Sequence, residues 1–145
     1  MKNAGLILLL TIFMGCEKPT VSKVVSAYPD GRTKTELIMS ADEKEKYEQI
    51  SYFDNGAVAI RGKFKDNKRH GKWESFFMNG KLKSVNHYKL GEYDGDYLVY
   101  NKDGQLILKG QYKDGLQYGK WLIYDKTGNV DYVRTFDENG KEIKQ

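Results

Sequence analysis

Apolar and polar residues alternate along most of the chain that follows residue 27, in short runs separated by turn-forming dipeptides. In the clearest run Val58, Ile60 and Phe64 occupy alternate positions, and Arg61 and Lys63 lie between them. Because successive side chains of a β-strand point to opposite faces, this alternation is typical of a strand with one buried and one wet face. The same pattern follows Leu106. These runs predict β-strands and no long helix.

The runs recur with a period of 24 residues from residue 52 onward. Six columns of the repeat keep one residue type: an aromatic, a glycine, an aliphatic, a second aromatic, a second glycine and a last aromatic. The columns contain Tyr52, Phe76, Tyr100, Tyr124; Gly56, Gly80, Gly104, Gly128; Val58, Leu82, Leu106, Val130; Phe64, Tyr88, Tyr112, Phe136; Gly71, Gly95, Gly119; and Trp73, Tyr97, Trp121. A fixed period of this length indicates a repeat architecture.

Each repeat contains two turn signals. Dipeptides such as Asn55-Gly56 favour a tight hairpin, since glycine takes the positive φ that the turn requires. The second signal spans residues 65–71, 89–95 and 113–119, and it predicts a longer turn. The predicted fold is therefore all-β: one domain formed by an antiparallel meander of stacked 24-residue hairpins. One repeat buries too few large side chains to fold alone, so neighbouring repeats must stabilise one another.

A glycine also precedes the second aromatic column by two positions in two repeats, at Gly62 and Gly110. A glycine inside a strand leaves bare backbone on the buried face, where a ring from a neighbouring strand can lie. We expect Trp73 and Trp121 to occupy these positions.

The repeats predict a division into residues 52–75, 76–99, 100–123 and 124–145, preceded by a degenerate capping repeat at 28–51. In the capping repeat, Thr33 to Met39 alternates as a strand does, and we expect a hairpin loop from Asp42 to Lys46. A competing interpretation is a helix over residues 43–49, since Ser40 and Glu43 have the spacing of a capping box.

Residues 1–15 have the features of a processing segment: Lys2 precedes an apolar run that is too short to span a bilayer. Phe13-Met14-Gly15-Cys16 resembles the lipobox of bacterial lipoproteins, although leucine is commoner at the position of Phe13. This resemblance implies cleavage before Cys16, acylation of Cys16, and anchoring in the cell envelope. Residues 16–27 would then be the lipidated cysteine and a linker. In lipoproteins of some bacteria, an Asp directly after the cysteine retains the protein at the inner membrane. By the same resemblance, Glu17 at this position favours the outer membrane. The alternative is an ordinary signal peptide with an incidental cysteine.

The repeat consensus, aromatic-x-x-Asn-Gly-x-Leu-x-x-x-Gly-x-aromatic-x-Asp-Gly-x-x-x-Gly-x-Trp, resembles the variant MORN repeat. Bacterial proteins built of these units are grouped as YwqK-type "toxin-antitoxin system antitoxin" proteins. The resemblance implies a sheet of stacked hairpins that serves protein–protein or membrane association.

Composition and residue spacing argue against several other functions. The formal net charge is +4, but Lys, Asp and Glu alternate along the turns, whereas nucleic-acid binders gather basic residues on one face. The chain has one cysteine and two unpaired histidines, His70 and His87, which predicts neither an internal disulfide nor a metal site. No acid, base or nucleophile recurs in the repeat. We therefore expect no enzyme activity, no cofactor and no nucleic-acid partner.

The best candidates for a binding surface are tyrosines outside the main aromatic columns. We predict that Tyr93, Tyr118 and Tyr132 are exposed, two of them in the long turns, with cationic residues beside them at the same rim. The cationic residues are Arg69, Lys89 and Lys113. The chain is thus interpreted as a lipid-anchored envelope protein and a non-catalytic scaffold for an unknown envelope protein. The alternatives are an antitoxin that neutralises a toxin by direct binding, and a module that binds glycan or cell wall.

Overall fold

The computed structural model describes residues 19–40 and 46–144, and every regular element in these ranges is a β-strand. The strands are β1 Thr20–Ala27, β2 Thr33–Ser40, β3 Lys46–Tyr52, β4 Val58–Lys65, β5 Lys68–Phe76, β6 Leu82–Lys89, β7 Glu92–Tyr100, β8 Leu106–Lys113, β9 Leu116–Tyr124 and β10 Val130–Phe136. They form one open sheet of ten strands in which each strand pairs antiparallel with the next in the chain. This arrangement confirms the predicted all-β meander.

From β3 to β10, two kinds of connection alternate along the sheet. The short connections hold two residues, as at Asp66-Asn67, where φ is 52° and 57°. Positive φ at both central positions is the mark of a type I′ turn, whose twist matches that of the paired strands. The other connections hold five residues, as at 53–57, where Phe53 N–H donates to the carbonyl of Ala57 over 2.8 Å. The predicted lengths of the two connections were therefore the wrong way round.

The physical reason lies in the asparagines and glycines. The Asn55 side-chain oxygen accepts a hydrogen bond of 3.0 Å from Ala57 N–H, so Asn-Gly shapes the second half of a longer loop. Gly71 has φ of 71° and lies inside β5, where the pairing with β4 slips between Trp73 and His70. The extra residues of β5 at this point form a β-bulge. The sequence predicts Gly71 as the end of a longer turn, and the structure corrects this.

The N-terminal end also differs from the prediction. Residues 20–27 were predicted as linker, but they form β1, which pairs with β2 from Thr20↔Ser40 to Ala27↔Thr33. The hairpin of β2 and β3 is confirmed, and the helical alternative is wrong for residues 46–49, which lie in β3. Most of the predicted hairpin loop, together with residues 1–15 and Cys16, lies outside the described residues.

A continuous ladder of aromatic rings packs along one face of the sheet, near the two-residue turns. Neighbouring ring centroids are 4.6 to 6.2 Å apart. The ladder contains Tyr47, Phe64, Trp73, Tyr88, Tyr93, Tyr97, Tyr112, Trp121 and Phe136. Trp73 is 2% exposed and Trp121 4%, so the ladder is the most buried part of the sheet. Large aromatic side chains in offset or edge-to-face contact supply much of the burial that a single-layer sheet can offer. We call this side of the sheet the ladder face.

The ladder is closed at its C-terminal end. Arg134 occupies the position that Gly62 and Gly110 hold in other repeats, and its guanidinium carbon lies 5.1 Å from the centroid of the Phe136 ring. Arg134 also forms an ion pair of 2.8 Å with Glu142, and Phe136 pairs with Glu142 as an isolated bridge. A terminal repeat must cover the hydrophobic face that no further repeat covers.

Candidate partner-binding surfaces

The structure places Tyr93 inside the ladder, in β7, and not in an exposed turn. Its ring stacks on Tyr88 at 4.6 Å and on Tyr112 at 4.8 Å. A hydrogen bond with Tyr88, together with burial, raises the pKa of Tyr93 above the usual tyrosine range. The prediction of an exposed Tyr93 was wrong because the strand begins at Glu92, directly after the two-residue turn. A role for Tyr93 in partner binding stays a prediction.

Arg69 also lies on the ladder face. Its guanidinium carbon is 4.6 Å from the Trp73 ring centroid and 5.4 Å from that of Tyr88, and its Nη1 donates to the Tyr88 hydroxyl over 3.2 Å. Arg69 and Tyr93 are separated by one repeat period of 24 residues. Arg69 on β5 makes a cation–π contact with the ring of Tyr88 on β6, and Tyr93 on β7 stacks on the ring of Tyr112 on β8. The equivalent residue of the next repeat is Gln117.

Tyr118 and Lys113 lie on the opposite face of the sheet. Tyr118 is paired with Gln111 across β8 and β9, is 40% exposed, and has the Lys113 ammonium 5.5 Å from its ring centroid. The prediction of exposure was right for Tyr118, but the residue belongs to β9 and not to a turn. Arg69 and Lys113 therefore do not share one surface, although both lie near the edge formed by the two-residue turns.

Tyr132 and Lys89 occupy two further places. Tyr132 is 57% exposed in β10, the last strand of the sheet. Lys89 ends β6 and lines a shallow depression of about 300 Å³ together with Lys68 and three acidic residues. The acidic residues are Glu92, Asp94 and Asp114. The predicted rim is thus not one binding site but four separate places on the sheet.

One electrostatic cluster joins two neighbouring strands. Glu74 on β5 forms ion pairs with Lys72 and, at 2.7 Å, with Arg61 of β4. Burial raises the pKa of the Glu74 carboxyl, but hydrogen bonds from Lys72 and Arg61 outweigh burial and hold the pKa below its ordinary value. At the N-terminal end, burial and the hydrogen bond to the Glu36 carboxylate raise the pKa of Tyr52 to about 12.

Within residues 19–40 and 46–144, no group of three or more His, Cys, Asp or Glu side chains is arranged to hold a metal ion. The same part of the chain contains no helix long and apolar enough to span a bilayer. His70 and His87 lie in different strands, β5 and β6, and His87 Nδ1 is 3.3 Å from the carbonyl oxygen of Asp96.

Residues 69–90 and 93–114 each match the family model described as MORN repeat variant. The first match covers β5 and β6 and the second covers β7 and β8, so each is a hairpin closed by a five-residue loop. Two consecutive hairpins of the chain are therefore similar to the variant MORN repeat, which generally forms non-enzymatic modules that bind proteins or membranes. No curated protein matches the chain.

The sequence interpretation missed one group of residues that the register brings together. Lys109 pairs with Leu122, Leu122 pairs with Val133, and Lys120 pairs with Thr135, all on the face opposite the ladder. The signal for them was the alternation after Leu106, which places the odd positions on the wet face. The pairing of β8 with β9 could not be read from that alternation, because it depends on the bulge beside Gly119.

Proposed function

We propose that this protein is a lipid-anchored bacterial envelope protein whose sheet is a non-catalytic scaffold for another protein. The observation that carries the scaffold role is the match of two consecutive hairpins to the variant MORN repeat. The observation that supports the anchor is the sequence Phe13-Met14-Gly15-Cys16 after a short apolar run. The acyl groups on Cys16 would hold the sheet at the membrane surface, since two or more chains give stable anchoring.

The position of β1 makes the tether short. Only residues 17–19 separate Cys16 from Thr20, the first residue of β1. Because an extended chain spans about 3.5 Å per residue, Thr20 would lie within roughly 14 Å of the acylated residue. The sheet would then stay beside the membrane and meet partners that are themselves in the envelope.

A wide single-layer sheet of repeats suits a scaffold role. Nine successive strand pairings join the ten strands, and neighbouring strands are about 4.8 Å apart, so the sheet is roughly 43 Å wide. Its ladder face is filled by its own rings, which leaves the opposite face and the exposed tyrosines for a partner. Tyr118 and Tyr132 offer large, rigid and amphipathic contact area of the kind enriched at interfaces.

Cell fractionation tests the anchor. The full chain and its Cys16→Ala variant are expressed in a bacterium with an intact lipoprotein pathway, and the inner membrane, outer membrane and soluble fractions are separated. We expect the wild type in the outer membrane and the variant outside the outer-membrane fraction. A wild type that stays soluble in the cytoplasm would contradict the anchor. Direct neutralisation of a cytoplasmic toxin would then be the better interpretation.

Binding to purified cell-wall material separates the scaffold from a glycan-binding module. The mature chain is incubated with wall sacculi and, in parallel, with envelope proteins cross-linked in intact cells. The scaffold proposal predicts specific protein cross-links and no retention on sacculi. Retention on sacculi that is lost in Tyr118→Ala or Tyr132→Ala would favour the glycan module.

A further inference from the structure

The strands β8 and β9 are unusual in the distribution of their charges. Lys109, Lys113 and Lys120 are the only charged residues of the two strands, and neither strand contains Asp or Glu. All three lysines lie on the face opposite the ladder, since Lys109 pairs with Leu122, Lys113 lies beside the Tyr118 ring, and Lys120 pairs with Thr135. Their ammonium groups therefore project from one side of the sheet.

These lysines are not neutralised as other cations of the same face are. Glu74 pairs with both Arg61 and Lys72 further along the sheet. Within the described ranges, by contrast, Lys109, Lys113 and Lys120 form no ion pair. The carboxylate of Asp96 on β7 accepts a hydrogen bond of 3.0 Å from the side-chain amide of Gln111. Asp94 and Asp114 lie at the turn end of these strands, where the backbone N–H of Asp114 donates to the Asp94 carboxylate over 3.4 Å.

Exposed apolar side chains lie beside the lysines on β8, β9 and β10. Tyr118 is 40% exposed, Val133 41% and Ile107 37%. Lysine stems add further apolar surface while their ammonium groups stay in water. We call this surface the lysine patch; it consists of Ile107, Lys109, Lys113, Tyr118, Lys120 and Val133.

We infer that the lysine patch binds an extended, acidic peptide segment of the partner protein, with apolar residues between its carboxylates. This inference rests on the proposed scaffold function and names the surface and the chemistry of its partner. Lys109 and Lys113 are four residues apart on one strand, so their Cα atoms are about 13 Å apart. An extended peptide that runs along the strand brings a carboxylate to each lysine when its acidic residues are also four positions apart.

The residue between the two carboxylates on the same side of such a peptide would face the apolar part of the patch. An aromatic or aliphatic side chain there would lie over Gln111 and contact Tyr118, the cross-strand partner of Gln111. Complementary charge would steer the partner and fix its register, and the apolar contact would add affinity. The combination favours a protein segment over nucleic acid, because a phosphate backbone would not use the exposed Ile107 and Val133.

The test uses the mature chain and a synthetic peptide, Glu-Ser-Phe-Ser-Glu-Ser-Leu-Ser-Glu, blocked at both ends. Two comparison peptides replace either every Glu by Lys or both apolar residues by Ser. Binding is measured by isothermal titration at low and high salt for the wild type, Lys109→Glu and Lys120→Glu. The matched controls are Lys102→Glu and Lys126→Glu, which change the net charge equally at the five-residue loops on the other edge of the sheet.

We expect the acidic peptide to bind the wild type, to lose about tenfold in affinity with Lys109→Glu or Lys120→Glu, and to change less than about twofold with the controls, since like charges at the patch repel the carboxylates. Affinity should also fall as salt rises. The inference is overturned if all four variants weaken binding equally, if the serine peptide binds as tightly as the apolar one, or if no peptide binds. Tighter binding of duplex DNA or anionic vesicles through the same lysines would also overturn it.

These results separate the inference from the proposed function. If the chain is anchored and cross-links to an envelope protein but does not bind the acidic peptide, only the role of the lysine patch is contradicted. If the chain stays in the cytoplasm, the anchor is contradicted whether or not the peptide binds.

Discussion

The indole ring of Trp73 lies directly on the backbone of Gly62 in the neighbouring strand. A Cβ at position 62 would be 2.2 Å from Trp73 Cδ2, and at Gly110 it would be 2.3 Å from the same atom of Trp121. Real atoms do not approach so closely, so any side chain at either glycine must displace the ring. In the repeat between them Asn86 replaces the glycine, and the ring opposite is the smaller Tyr97. Ring size and the residue beneath it thus vary together.

We predict that Gly62→Ala lowers the free energy of unfolding by about 3 kcal/mol, because the methyl group overpacks the ladder. Urea unfolding followed by tryptophan fluorescence measures the change. Gly128→Ala is the matched control: its φ is 86° and a Cβ there meets no atom within 4 Å. Gly128→Ala should lower the free energy of unfolding by only about 1 kcal/mol, the cost of holding an alanine at positive φ. Equal losses at the two sites would contradict the contact between Gly62 and Trp73.

Arg69 should be replaceable by tyrosine. Arg69→Ala removes the cation–π contacts with Trp73 and Tyr88 and should cost about 1 kcal/mol. Arg69→Tyr copies Tyr93, which holds the equivalent position, and should restore most of that loss by stacking on Tyr88. Thermal unfolding of the wild type and both variants tests this. The equivalence of the two positions is wrong if Arg69→Tyr is as unstable as Arg69→Ala.

The stability of the fold should fall in alkali. The folded-state pKa of Tyr52 is raised to about 12, and that of Tyr93 is raised as well. A raised pKa means that folding favours the neutral phenol, so this stabilisation is complete below the ordinary tyrosine pKa of about 10 and is lost as pH rises through the folded value. We expect the urea midpoint to decline between about pH 10 and 12, and less steeply in Tyr52→Phe. An identical decline in the variant would contradict the shift at Tyr52.

The C-terminal cap should open when its ion pair is removed. Ile143 N–H donates to the Thr135 carbonyl over 2.7 Å, next to the pair of Arg134 and Glu142. Glu142→Gln should speed amide hydrogen exchange at Ile143 severalfold, while the amide of Val85 in the middle of the sheet is unchanged. Faster exchange at both positions would indicate global destabilisation and not an opened cap.

The repeat allowed the strands, their order and the ladder face to be predicted. A column such as Phe64, Tyr88, Tyr112 and Phe136 can recur only if each copy meets the same surroundings, so period and face follow from the sequence. Turn lengths did not follow, because Asn-Gly suits both a two-residue turn and the second half of a longer loop. A bulge glycine such as Gly71 also cannot be told from a turn glycine by its identity.

The ends of the sheet and the surfaces were harder to predict. Val24 and Val25 are adjacent, which hides the alternation of β1, and only the pairing with β2 defines the strand. The lysine patch depends on how β8 and β9 align, and one residue of slip would move each side chain to the other face. The exposure of Tyr93 depends on where the turn ends, and the sequence does not fix that boundary.

The mass of the mature protein tests the central claim most directly. Intact mass spectrometry of the wild type purified from membranes, after cleavage of the leader, should show a chain that begins at Cys16 and carries a diacylglyceryl group and an N-acyl chain. Cys16→Ala should show neither the cleavage nor the lipid. A wild-type mass that equals the unmodified chain from Met1 would contradict the anchor and, with it, the envelope as the place where this scaffold works.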